Sequence, residues 1–237
     1  SARCMNYLYD LWDDFISLLF PRICYGCGSQ LRRNEKIICT ECYVLIPRTG
    51  FHLTQGNPVE QLFWGRCMLS GAAAFSYYTR DSRIRRLIHQ LKYRGIREIG
   101  PVLGRIYGNS LKGSPFLEGV DVIIPVPLHR SKQRQRGFNQ SDLIAEGLSQ
   151  ATGIPVDTGI LERRTGTKTQ TRKSRFDRWT NVSDIFRVRD DSRLAGKHVL
   201  LVDDVITTGS TIEACASELL RTENVSVSAV ALAYAVM

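Results

Sequence analysis

At 237 residues, with 43% apolar and 23% charged side chains, the chain is long enough to bury a core, either as one large domain or as a domain of roughly 150–180 residues with an appendage. No apolar run approaches the ~18 residues that a membrane-spanning helix needs, and the N-terminus lacks the basic, apolar and small-residue order of a secretory signal. The net charge of +9 is uneven: residues 1–70 carry 7 basic and 6 acidic side chains and residues 71–237 carry 25 and 17, a field that suits a polyanionic partner or simply a soluble basic surface.

Residues 7–20 place Leu8, Leu11, Trp12, Phe15, Ile16 and Leu19 near i, i+3, i+4 spacing, with Asp10, Asp13 and Asp14 elsewhere and Pro21 behind them. This predicts an amphipathic helix, assigned to residues 5–20. Its acidic polar face argues against anionic lipid and for packing on the protein or a partner. Cys24-Tyr-Gly-Cys27 and Cys39-Thr-Glu-Cys42 follow, 11 residues apart. Two such knuckles supply four thiolates for a tetrahedral Zn²⁺, and Gly26 and Gly28 permit the tight turns. A redox dithiol or an iron–sulfur site is the alternative. Four thiolates leave no open position for water, so a zinc here is structural, and it could also present Arg32, Arg33 and Lys36 to a partner. Paired Cys-x-x-Cys usage in place of a disulfide frame points to a reducing compartment, hence a cytoplasmic protein. Cys67 and Cys215 read as small packed hydrophobes. Residues 21–50 are assigned to the zinc ribbon.

Residues 51–70, with Gly, Pro and Asn, read as a linker or hood, and residues 71–237 as the second domain. Residues 71–78 are apolar and aromatic and predict a strand. Ile84, Leu87, Ile88 and Leu91 then mark a helix that ends in a basic turn at Lys92-Tyr93-Arg94-Gly95. Residues 80–97 carry seven basic side chains against one acid. That run reads either as a solvated face or as an anion-facing element in which Lys92 and Arg94 converge. Residues 120–127 predict a buried strand ending at prolines. A loop over 128–139 then holds Arg130, Lys132, Arg134 and Arg136, and a helix over 141–151 turns Leu143, Ile144 and Leu148 inward. After a short strand at 155–161, residues 162–181 have almost no periodicity, with seven basic residues between Arg163 and Arg178. A loop of that length inside a compact domain is functional or disordered. Strands are predicted near 185–188 and over 225–236.

The most informative stretch is 197–220. Residues 199–202 form a short β-branched run of the kind found in a buried parallel strand. Asp203 and Asp204 follow directly, then the small-residue turn Val205, Ile206, Thr207, Thr208, Gly209, Ser210 and Thr211. Beyond it Ile212, Cys215, Ala216 and Leu219 recur at helical spacing. Ligands of open α/β sheets sit at such strand–loop–helix junctions. Amides at a helix start, with Gly209 allowing close approach, cradle a phosphate. Two carboxylates suit the vicinal hydroxyls of a ribose, or Mg²⁺. A Walker B strand would also end in acids, but it needs an upstream Gly-x-x-x-x-Gly-Lys-[Ser/Thr] run, and the sequence has none.

Residues 199–211 resemble the phosphoribosyl-pyrophosphate (PRPP) signature of type I phosphoribosyltransferases, and from Cys24 onward the chain resembles the ComF (ComFC-type) competence proteins. The resemblance implies an α/β fold with a doubly wound, mostly parallel sheet and a small N-terminal four-cysteine zinc ribbon. It implies that Asp203 and Asp204 contact the ribose hydroxyls and that the 205–211 turn holds the 5′-phosphate. It implies pyrophosphate binding by the loop after the second strand, here Pro127, Leu128, His129 and Arg136, joined by Lys92 and Arg94, with Mg²⁺ arriving with PRPP. The basic stretch 163–181 resembles the lid that closes over PRPP; a nucleic-acid arm using Phe176 and Trp179 for stacking is the alternative. Phosphoribosyl transfer to an unspecified acceptor during DNA uptake is the implied activity. A non-catalytic module binding single-stranded DNA or a helicase partner is the second.

Overall fold

In the computed structural model, residues 21–164 and 185–236 are described. The expected helix at 5–20 and most of the basic stretch at 163–181 lie outside them. The chain divides into two compact units between Ile46 and Pro47, so the expected ribbon boundary at residue 50 falls slightly later than this division.

The smaller unit is organised by its sulfurs. The first knuckle closes through the Cys24 amide donating to the Ser29 carbonyl and the Gly28 amide to the Cys24 carbonyl, each at 2.8 Å. Gly28 takes φ +81°, a left-handed conformation that side chains disfavour. The second knuckle is the first turn of a short helix, α1 (Thr40–Val44), capped by the Cys39 sulfur accepting from the Cys42 amide. Among its described residues, the buried apolar cluster is formed by Cys24, Leu31, Cys39 and Cys42.

The larger unit begins with a segment expected as linker or hood. Residues 51–70 instead pack into the main core: Phe51, Val59 and Phe63 are buried together with the sheet residues. A short helix, α2 (Pro58–Gln61), is started by Asn57, whose side-chain oxygen accepts from the amides of Val59 and Glu60. Asn57 is itself buried and donates to the Ala72 carbonyl at 2.9 Å, which ties this segment to the first strand.

That strand is β1 (Gly71–Tyr77), and β2 (Val122–Pro125), β3 (Leu161–Arg163), β4 (Phe186–Val188), β5 (His198–Ile206) and β6 (Ser226–Tyr234) come after it. The main sheet has the order β1–β6–β5–β2 with every pairing parallel. β3 and β4 form a separate antiparallel pair on either side of residues 165–184. The strand expected over 155–161 contributes only an isolated bridge from Val156 to Ile123, and the ladder forms later, at 161–163. Asp157 explains the interruption: its carboxylate accepts from the Gly159 amide at 2.8 Å and turns the chain there.

Helices cover both faces of the sheet. α3 (Arg83–His89) runs into a π turn at Gln90–Arg94 and stops at Gly95, φ +71°. It is followed by α4 (Ile99–Leu111), α5 (Arg130–Arg136), α6 (Gln140–Thr152) and α7 (Ser210–Leu219). α6 packs on β2 and β5 and α4 on β6, while α7 packs on β4, β5 and β6. Residues 128–139, expected as a loop, contain α5. Arg, Lys and Gln are good helix formers, but the segment buries none of its residues, so it has no apolar periodicity to announce it. α4 and α6 approach unusually closely. A Cβ on Gly104 would lie 2.2 Å from the Ile144 carbonyl oxygen, and one on Gly147 would lie 2.2 Å from that of Pro101. No helix of the described residues is long and apolar enough to cross a membrane.

Candidate functional site

Asp203 and Asp204 do not come after the strand; they belong to it. β5 continues through them to Ile206 because pairing with β6 persists, Asp203 opposite Ala231 and Val205 opposite Ala233. Successive strand side chains leave on opposite faces, so the two carboxylates diverge into different surroundings. Asp204 is 4% exposed. Its Oδ1 accepts from Lys92 Nζ at 2.7 Å, while its Oδ2 is buried without a partner among the described residues. Asp203 is half-buried, and its Oδ1 accepts from the Asp204 amide at 2.8 Å and the Ser141 hydroxyl at 3.3 Å. Ser141 belongs to the first turn of α6 and was not singled out from the sequence. A lone Ser at a helix start carries no signal until its partner, far away in sequence, is known.

Desolvation, followed by the charge of Asp204, pushes the Asp203 carboxyl up to about 7. Its folded-state pKa lies above the ordinary unfolded value near ~3.9, so its contribution to stability is present below that value and lost as pH rises toward about 7. Asp203→Asn, which cannot ionise, is expected to gain melting temperature relative to the parent as pH rises from about 4 to about 7 and to level off above. Thermal unfolding across that range tests this; a difference independent of pH refutes it.

Beyond the doublet the chain turns through Thr207 and Thr208 to Gly209, which caps α7 with φ +76°. The helix's first N–H groups have no intrahelical partner and face a hollow of about 30 Å³ lined by Asp203 and residues 205–212. Thr208 Oγ1 and Ser210 Oγ, 3.0 Å apart, rim it. Gly209 is required twice over, since a Cβ would also meet Phe63 Cε1 at 2.8 Å. Arg66 extends this contact, donating to the Thr208 carbonyl at 2.8 Å and pairing with Glu213. The segment before β1 therefore braces the 205–211 turn.

The residues considered for pyrophosphate separate into two groups. Lys92, Arg94 and Arg136 line one cavity of about 470 Å³ together with Lys132, Tyr93 and Phe138. Tyr93 is 66% exposed and the Arg136 guanidinium lies 5.4 Å from its ring centroid. Pro127 and Leu128 line a different cavity of about 220 Å³, with Asp142 and Arg163. His129 caps α5, its Nδ1 accepting from the Ser131 amide at 3.2 Å.

In the smaller unit the four sulfurs of Cys24, Cys27, Cys39 and Cys42 all lie within 4.8 Å of one another. Cys27 and Cys39 are 3.7 Å apart, matching the ~3.8 Å sulfur–sulfur edge of a tetrahedral shell with bonds of ~2.3 Å. The amides of Gly26 and Cys39 point at Cys24 Sγ from 3.4 and 3.3 Å, and the Cys42 amide points at Cys39 Sγ from 3.3 Å. These contacts stabilise thiolates. Burial pushes the free thiols of Cys39 and Cys42 the other way, up, so a cation suits the cluster. It can hold a metal ion such as zinc.

A family model described as phosphoribosyl transferase domain matches residues 141–236. The DNA utilization protein YhgH of Salmonella typhi is 33% identical over 219 residues, covering 86% of this chain and 93% of that protein. Competence protein F of Haemophilus influenzae is 32% identical, with 84% of each chain covered. The chain belongs to the ComF competence family. Competence protein ComFC of Bacillus subtilis is 26% identical over 84% of this chain and 78% of its own length. The ComF chain carries the type I phosphoribosyltransferase fold, with its parallel sheet and an N-terminal cysteine cluster.

Proposed function

We propose that the chain binds PRPP at the carboxylate doublet and the 205–211 turn and acts in DNA uptake during natural transformation. One observation carries this reading. The buried Asp204 carboxylate keeps an unpartnered oxygen and is paired with Lys92, a wall of the cavity lined by four cations, while its neighbour Asp203 lines the hollow at the start of α7. Burying a carboxylate oxygen without a partner is costly, and a ribose hydroxyl would supply the missing donor. Asp203 and Asp204 would orient the ribose, the amides at the start of α7 would take the 5′-phosphate, and Lys92, Arg94, Lys132 and Arg136 would receive pyrophosphate. A nucleophile forms its bond to ribose C1 as the bond to pyrophosphate breaks, and the leaving oxygen keeps the electron pair. Positioning and electrostatics carry most of such a step. Mg²⁺ bound with PRPP would neutralise the departing charge. The cysteine cluster would hold a structural zinc.

Titration calorimetry with PRPP and Mg²⁺ tests the site. Asp204→Asn is expected to weaken binding at least tenfold with metal content and fold unchanged; unaltered binding ends the assignment. Pyrophosphate release in the presence of candidate acceptors tests for turnover.

The exposed Tyr93 beside Arg136 and Lys132 favours a second reading: a non-catalytic module that stacks and neutralises single-stranded DNA. Persistence of salt-dependent DNA binding in Asp203 and Asp204 variants, without turnover of PRPP, selects it.

A further inference from the structure

The opposite end of the strands holds a larger cavity, of about 750 Å³, where β1, β5 and β6 begin. His198, the first residue of β5, is among its walls; Asp203 lies five residues further on, about 17 Å along an extended strand. The cavity is thus separate from the carboxylate doublet, and its occupancy is independent of whatever binds there. Its volume is in the range of small-molecule sites.

The lining is selective in what it offers. Phe116 forms an apolar wall that comes so close to β1 that a Cβ on Gly71 would meet its ring at 3.1 Å. His198 has its Nε2 engaged by the Ser228 hydroxyl at 2.9 Å, and the Glu118 backbone lies against the same ring. His52 is engaged by the backbone of Ser110. Burial pushes both imidazoles below their ordinary pKa, so at neutral pH they add no positive charge. The remaining capacity belongs to acceptors. Glu60 is fixed by the Gly56 amide at 2.6 Å and keeps free lone pairs, Glu118 is exposed at the rim, and Ser228, if it donates to His198, retains its own lone pairs. An overall basic protein thus presents here a pocket whose charged lining residues are both acidic.

We propose that this cavity is a second binding site, for a planar aromatic group carrying amine or amidinium donors. The ring would lie against Phe116, and its N–H groups would reach the carboxylates of Glu60 and Glu118 and the Ser228 hydroxyl. Anionic aromatics of the same shape would be rejected by the same carboxylates.

Saturation-transfer NMR on the full chain, with benzamidine as probe and benzoate as its anionic counterpart, tests this. Benzamidine is expected to bind at least tenfold more tightly than benzoate, and saturating PRPP is expected to leave its signal in place. Glu118→Gln should weaken benzamidine several-fold, and Ser70→Trp, at the exposed mouth, should abolish the signal while the melting temperature holds. Equal binding of the two probes, no binding of benzamidine, displacement by PRPP, or survival of the signal in Ser70→Trp would each overturn the proposal.

Discussion

Lys92→Met is expected to lower the stability of the larger unit by about 3 kcal/mol at pH 8, moving its urea midpoint by about 1 M. The physical reason is asymmetry within the pair. Lys92 borders an open cavity and can turn its ammonium to water, whereas Asp204 is 4% exposed and cannot follow it. Removing the lysine therefore leaves a buried carboxylate with neither oxygen compensated. Removing the acid strands nothing comparable. Asp204→Asn added to Lys92→Met is accordingly expected to restore most of the loss, giving a coupling energy of roughly 2 kcal/mol in the double-mutant cycle. A Lys92→Met protein as stable as its parent, or a double variant no better than the single, would show that the pair is exposed in solution.

Removing the metal is expected to unfold residues 21–46 and spare the larger unit. Among the described residues the ribbon's buried centre is built largely from cysteines, too little apolar surface to hold a fold unaided. Structural zinc contributes on the order of 10 kcal/mol to such modules. Amide hydrogen exchange reads both units at once. After chelation, confirmed by metal analysis, amides around Cys24 and Cys42 should exchange freely while those of β5 and β6 stay protected. Cys42→Ser should reproduce the pattern. Retained protection in the ribbon of a metal-free sample would remove the metal from its folding.

The sequence made the local patterns legible and left the distant pairings hidden. Four cysteines in two Cys-x-x-Cys pairs, and an apolar run ending in Asp-Asp and a Gly-containing turn, are short enough to be read where they stand. The fold class comes from alternating strand and helix signals. The features that could not be read depend on partners far apart. Lys92 lies on Asp204 across 112 residues, and nothing near either predicts the other. β5 runs through the acids because β6 continues beside it, a fact absent from the residues of β5 alone. α5 lacks an apolar face, and residues 51–70 look like a linker until Phe63 is seen against Gly209.

The glycine contact between α4 and α6 has a consequence at the start of α6. Two backbones in van der Waals contact have no side chain between them to rearrange, so neither helix can slide or tilt by small amounts. Ser141 is thereby held at a fixed height against Asp203, 3.3 Å away, by a seam that begins within a turn of it at Ile144 and continues to Gly147. Bulk added to that seam would be felt as a displaced hydroxyl beside Asp203, on the other side of the helix contact from where the atoms were inserted.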